Sequence, residues 1–103
     1  MEIINIKEAP TSPNPHNVVM TPLHTSEKVV LAHLVLKPGD EIPPHSAPFE
    51  AIFCCLEGVG QATIGTEVKE VPASTIVKCP PNIDHGWANK SDNDLKLMVV
   101  KIS

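Results

Sequence analysis

The apolar residues of this chain fall in short segments separated by turns that contain proline, glycine or polar residues. Short apolar or alternating runs bounded by such turns are typical of β-strands. The pattern therefore predicts an all-β sandwich or barrel, with a hairpin turn at Gly65 and Thr66. The predicted strands are residues 1–7, 28–36, 48–57, 61–64, 67–71, 75–78, 86–89 and 95–102.

The segment 48–57 fits two structures. Its larger apolar side chains recur at the spacing of a helical stripe, which would favour a short amphipathic helix. Its short length, its Ile-Phe-Cys-Cys centre and the glycines at 58 and 60 are more typical of a strand that leads into a hairpin. The residues of the helical stripe are Phe49, Ile52, Phe53 and Leu56.

The length of 103 residues is that of one small domain, so we expect a single hydrophobic core. We divide the chain into an N-terminal strand with a proline-rich lead-in, residues 1–27, and a main β-domain, residues 28–103. Four prolines between residues 9 and 22 exclude a helix from the lead-in.

The charge and hydropathy of the chain indicate which classes of partner it does not bind. The net charge is −4, and all eight basic residues are lysines that form no cluster, so binding to a nucleic-acid backbone is not expected. No apolar run approaches the roughly 20 residues of a membrane-spanning helix, and the N-terminus has no signal-peptide pattern. We therefore expect a cytoplasmic protein that does not bind membranes.

The three cysteines, Cys54, Cys55 and Cys79, form no zinc-binding pattern. Adjacent cysteines on a strand point to opposite faces and cannot easily pair with each other. We expect reduced cysteines that act as small apolar residues, with a role in the site as the alternative.

Two histidines are the best candidates for a site. His45 and His85 each follow a proline pair closely and stand at the start of a strand-like segment, so we interpret them as two arms of one site. His33 shares a strand face with apolar residues and is interpreted as a core or interface histidine. His16 and His24 lie in or beside the lead-in and are expected to have no role in the site.

The segments around these two histidines resemble the two sequence motifs of the cupin superfamily, and the resemblance covers residues 28–102. The first family motif has two histidines and a glutamate between two glycines. Here the glycine and first-histidine positions match, but alanines stand at the second-histidine and glutamate positions, with Glu50 one residue out of register. The matching positions are Gly39, His45 and Gly58, and the alanines are Ala47 and Ala51.

The second family motif is matched more completely. Pro80, His85 and Asn89 stand at the expected positions, whereas Asn82 and Ser74 occupy two positions where the family has glycine. The resemblance implies an all-β cupin-type double-stranded β-helix, a jelly-roll barrel, in a single domain. It also implies a homodimer that pairs through its sheets or through exchanged N-terminal strands.

The resemblance implies a site inside the barrel. Because two of the four family metal-ligand positions are alanines, we expect a stand-alone cupin that binds a small molecule without a complete four-ligand metal site. An apolar pocket with a few polar groups is the usual form of such a site. The expected ligand-binding residues are His45, His85, Ala47, Ala51, Phe53 and Trp87.

Two alternatives remain open. The first is a metal-dependent oxygenase or isomerase in which His45 and His85 hold a weakly bound divalent ion of Zn, Fe, Ni or Mn, with Glu50 or Cys55 as third ligand. The second is a structural or assembly module with a vestigial pocket. The sequence does not assign a catalytic residue, a cofactor or a substrate.

Overall fold

The structure, a computed structural model, describes all 103 residues and contains nine β-strands and no helix. Seven of the eight predicted strands are confirmed, and their ends differ from the prediction by at most two residues. The strands are β1 Val19–Thr25, β2 Val29–Leu36, β3 Glu41–His45, β4 Glu50–Glu57, β5 Val59–Ile64, β6 Glu67–Pro72, β7 Thr75–Cys79, β8 His85–Ala88 and β9 Leu95–Ile102.

The strands form two antiparallel sheets. The five-stranded sheet has the order β1-β2-β9-β4-β7, and the four-stranded sheet has the order β3-β8-β5-β6. The inner faces of the two sheets supply one hydrophobic core. The prediction of an all-β, jelly-roll-type single domain is therefore confirmed.

Residues on the inner face of the five-stranded sheet stack in rows. At one end of the barrel, Leu36 pairs with Leu95, and both are fully buried. At the other end, Ala51 of β4 pairs with Lys101 of β9 on one side and with Cys79 of β7 on the other. This second end carries the polar groups of the candidate site.

The segment 48–57 forms the strand β4 instead of a helix. Ala51, Phe53 and Cys55 are buried, whereas the residues between them are only half-buried, as expected for alternation with a period of two. The two neighbouring strands of β4 satisfy its backbone hydrogen-bonding groups, which an isolated short helix could not match.

Two predictions about the N-terminal region are wrong. Residues 1–7 form no strand, and Ile3 is 81% exposed. The barrel begins within the predicted lead-in, because Val19–Thr25 forms β1 at the edge of the sheet. β1 takes the place beside β2, and only an isolated bridge between Ser12 and Met20 lies on its outer edge, so residues 1–7 pair with no strand.

The strand β1 contains a proline, Pro22. An edge strand tolerates proline because one row of its amide groups needs no partner in the sheet. The register shifts between Pro22 and His24, and this irregularity accommodates the proline. His24 is exposed and lies outside the cavity of the barrel.

His33 lies on the outer face of the five-stranded sheet, opposite Met98, and is 8% exposed. Burial, and to a smaller extent the charge of Lys96, lowers the pKa of His33. Cys54 shares this outer face, whereas Cys55 is buried on the inner one.

No segment of the chain forms an apolar helix of membrane-spanning length.

Candidate functional site

The structure brings the two predicted histidines together. His45 ends β3 and His85 begins β8, and the two residues are direct partners across these antiparallel strands. Their ring centroids are 4.6 Å apart, with an angle of 55° between the ring planes. His45 is exposed, whereas His85 is 5% exposed, so the pair runs from the surface into the barrel.

Backbone carbonyls orient both rings. Nδ1 of His45 lies 3.0 Å from the carbonyl oxygen of Pro43, and Nδ1 of His85 lies 3.4 Å from that of Ile83. A carbonyl oxygen can only accept a hydrogen bond, so the contact with Pro43 favours the proton on Nδ1 of a neutral His45 ring. Nδ1 of His85 also lies 3.5 Å from the thiol of Cys79, which can donate a hydrogen bond, so either tautomer of His85 satisfies its contacts. In the tautomer protonated on Nδ1, a ring leaves the lone pair of Nε2 to accept a hydrogen bond or to bind an ion.

The environment of His85 favours the neutral ring. Burial is the main cause that lowers the pKa of His85, and the charges of His45 and Lys101 lower it further. The hydrogen bond to Ile83 and the charge of Asp84 act in the opposite direction but do not reverse the shift.

Cys79 connects the two sheets beside His85. Its Sγ lies 3.5 Å from Nδ1 of His85 and 3.4 Å from the carbonyl oxygen of Ile83. Burial raises the pKa of the Cys79 thiol, and the negative charge of Asp84 raises it further. Cys79 is therefore a neutral thiol that packs against the imidazole, since a nucleophile would need a lowered pKa.

The imidazole pair borders a cavity of about 110 Å³ inside the barrel. Phe53 lies against both His85 and Trp87, with centroid distances of 5.7 and 5.5 Å, and these rings form part of the wall. Trp87 is 2% exposed, and its Nε1 has no hydrogen-bond partner. The apolar lining residues are Val18, Met20, Ala32, Leu34, Ile42, Phe53, Trp87 and Val99.

Two of the six predicted ligand-binding residues do not line the cavity. Ala51 is 1% exposed and lies between Lys101 and Cys79 in the sheet. Ala47 is half-buried in the loop after β3, and its carbonyl oxygen accepts a hydrogen bond from the amide of Asn82. The other four predicted residues, His45, His85, Phe53 and Trp87, do line it.

Sequence reasoning missed three polar residues of the cavity wall, Lys101, His16 and Asn14. A signal for Lys101 was present, because a period of two places it on the same strand face as Leu95, Leu97 and Val99. The apolar residues at 98 and 100 made the other face of the strand equally plausible as the inner one.

No local signal identified His16. Its ring stacks on that of His45 with a centroid distance of 5.7 Å. The side chain of Asn14 stabilises the turn that contains His16. Its Oδ1 accepts a hydrogen bond from the backbone amide of His16, and its Nδ2 donates one to the backbone carbonyl of Val18. This contact joins the lead-in to the barrel, and sequence spacing does not encode it.

The residues present do not fit the four-ligand metal site that the family resemblance implies. Neither suggested third ligand lines the cavity with the imidazoles. Glu50 belongs to the outer alternation of β4, and Sγ of Cys55 lies within hydrogen-bonding distance of the carbonyls of Glu57 and Gly58. No group of three His, Cys, Asp or Glu residues is arranged to hold an ion. His45 and His85 alone would make a weak site.

The motif positions that lack glycine keep the backbone conformation that glycine would adopt. Asn82 and Ser74 have φ values of 64° and 65°, and the matching glycines Gly39 and Gly58 have values of 90° and 84°. Asparagine tolerates this left-handed region better than most residues. The turns of the motifs are thus retained where their metal-ligand residues are not.

Comparisons with known proteins agree with the fold. A sequence profile of the Cupin_2 family, described as a cupin domain, matches residues 32–101. No curated protein sequence matches the chain. Among solved structures, protein TT1209 from Thermus thermophilus is 25% identical, with a TM-score of 0.85 over 99% of this chain and 97% of that one.

Two further solved structures resemble the fold. A predicted oxalate decarboxylase from Thermotoga maritima is 20% identical, with a TM-score of 0.89 over 98% of each chain. The polyketide cyclase RemF from Streptomyces resistomycificus is 18% identical, with a TM-score of 0.87 over 99% of this chain and 79% of that one. At these identities the likeness shows a shared fold and no more.

Proposed function

Because this chain belongs to the Cupin_2 family of cupin domains, we propose that it binds a small molecule in the cavity of its barrel, without a complete metal centre. The observation that carries the proposal is the position of the imidazole pair at an apolar cavity. Apolar walls with a few convergent polar groups are the usual form of a small-molecule site.

The cavity supplies two kinds of interaction. Phe53 and Trp87 present ring surface against which an apolar group can pack. An imidazole ring has one nitrogen that donates and one that accepts, and the tautomer decides which, so His45 and His85 can orient a polar group of the ligand. The same two rings can move a proton near neutral pH, which would allow acid–base chemistry on a bound molecule.

We expect single-ring fragments to change the fluorescence of Trp87, because it is the only tryptophan of the chain and lines the cavity. A panel of such fragments is titrated at constant protein concentration. The variant Ala32→Leu, which fills the cavity, should remove the response. The control Val77→Leu, which enlarges a core side chain outside the cavity, should keep it. Fragments that bind Ala32→Leu as well as wild type would show that the cavity is not the site.

We further propose that the chain forms a homodimer through the outer face of the five-stranded sheet. Leu31, Val100 and Ile52 form one outer row across three central strands, and Met98 and Cys54 follow in the next row. All five are half-buried in the single chain. Such apolar patches usually mark interaction surfaces, and a second copy offers the same patch under two-fold symmetry.

Light scattering at micromolar concentration should give the mass of a dimer. Ile52→Glu places a charge at the centre of the patch and should give a monomer with an unchanged fold. Val68→Glu is the matched control, because Val68 is 55% exposed on an edge strand of the other sheet. A wild-type protein that remains monomeric would contradict the proposal.

A further inference from the structure

All titratable side chains that line the cavity are bases. They are Lys101, His16, His45 and His85. The chain as a whole is acidic, with 12 carboxylate side chains against eight lysines, yet none of these carboxylates lines the cavity. The cavity therefore offers positive charge and hydrogen-bonding groups with no acidic residue to neutralise them.

Lys101 holds an unusual position for a lysine. It is half-buried on the inner face of β9, in phase with the buried residues Leu97 and Val99. Lysine is rarely buried without a partner for its charge. The ion pairs of the structure are formed by Lys37, Lys69 and Lys96, so Lys101 has no carboxylate partner within the chain.

The contacts of Lys101 leave its charge available. Its Nζ lies 5.6 Å from the centroid of the Phe49 ring, which contributes a weak cation–π attraction and no hydrogen bond. Lys101 is also close enough to His85 for its charge to affect that ring. The ammonium group thus lies at the end of the barrel where the imidazole pair is found.

We propose that the ligand of the cavity is a small monocarboxylic acid with an apolar body. Lys101 binds the carboxylate, and the walls formed by Phe53 and Trp87 hold the body. A single ammonium group favours one negative charge, since a second would remain unpaired in an apolar cavity. The inference rests on the function proposed above and adds the class of ligand.

The cavity also limits the size of this acid. Its volume of about 110 Å³ is well below that of pockets for drug-sized ligands, which span about 300–1,000 Å³. An apolar cavity of about 150 Å³ in another protein binds benzene. The body of the acid is therefore at most about one six-membered ring, which makes benzoate a suitable probe.

The experiment compares benzoate with benzamide, which has the same shape and no charge. Isothermal titration of the wild-type protein should show benzoate binding about tenfold or more tightly, because a hydrogen bond to a charged group is stronger than a neutral one. Lys101→Met keeps the apolar stem and should bring the two affinities together. Lys101→Arg keeps the charge and should keep the preference for benzoate over benzamide. This variant shows whether the loss in Lys101→Met comes from the missing charge or from misfolding.

Lys96→Met is the matched control, because Lys96 is half-buried on the same strand but points to the outer face. The preference for benzoate should survive in this variant. Equal affinities for benzoate and benzamide in the wild type would overturn the inference and leave the proposed cavity function intact. Binding of neutral fragments with no binding of benzoate would do the same. No binding of any fragment would overturn both.

Discussion

Combining Ala47→His and Ala51→Glu with Lys101→Met should convert this barrel into a metal-binding one, with about one divalent ion per chain. The first two substitutions restore the donors that the family motif has beside His45 and His85. The third is needed because Lys101 pairs with residue 51 across β9 and β4, where its ammonium group would bind the new carboxylate and repel a divalent cation. Elemental analysis after purification without chelator measures the result.

The stability of these variants provides an independent readout. An ion that binds only the folded state at 1,000 times its Kd adds about 4 kcal/mol to the free energy of unfolding. For a chain of this size, each kcal/mol raises Tm by about 4–8 °C. EDTA should therefore lower the Tm of the triple variant clearly and leave that of the wild type unchanged.

Variants with only some of these substitutions separate the effect of the restored ligand residues from the effect of removing the charge of Lys101. The double variant that retains Lys101 should hold less metal than the triple variant, and Lys101→Met alone should hold no more than the wild type. The wild type itself should purify with substoichiometric metal that dialysis against EDTA removes. About one tightly held ion per wild-type chain would refute the metal-free proposal and require a third ligand that the present geometry does not supply.

Replacing Gly86 by alanine should disrupt the imidazole pair and destabilise the barrel. A Cβ at position 86 would lie 2.7 Å from the carbonyl oxygen of Ile42 and 2.8 Å from the nitrogen of Pro44. Both are backbone atoms, so no side-chain rotation relieves the contact and β3 must move away from β8. Because β3 carries His45, this movement separates His45 from His85.

Overpacking of this kind costs about 1–3 kcal/mol, which thermal unfolding would measure as a lower Tm. Fragment binding by the fluorescence of Trp87 should be lost in the same variant. Gly39→Ala is the control, because Gly39 has a φ of 90° and open space around it, and it lies outside the cavity wall. That variant should lose stability through backbone strain and retain binding. Unchanged binding in Gly86→Ala would show that close approach of β3 and β8 is not required.

The sequence by itself determined most of the strands and the alternation along them. Segments such as 95–102 and the hairpin at Gly65 and Thr66 depend on local patterns of apolar residues and turns, which a linear chain displays directly. The proline pairs before His45 and His85 likewise marked two places where a histidine could be presented. The cupin motifs then supplied the expectation that the two places converge.

Only the tertiary structure decided which residues form the cavity. Lys101 and His16 reach it from the last strand and from the lead-in, regions that no local pattern connects to His45. Residues 1–7 show the converse, because their apolar sequence suggests a strand but they pair with none of the nine strands. A strand exists only where another strand satisfies its backbone, and a site exists only where separate segments meet. Both conditions depend on pairing across the fold, which the order of residues along the chain does not specify.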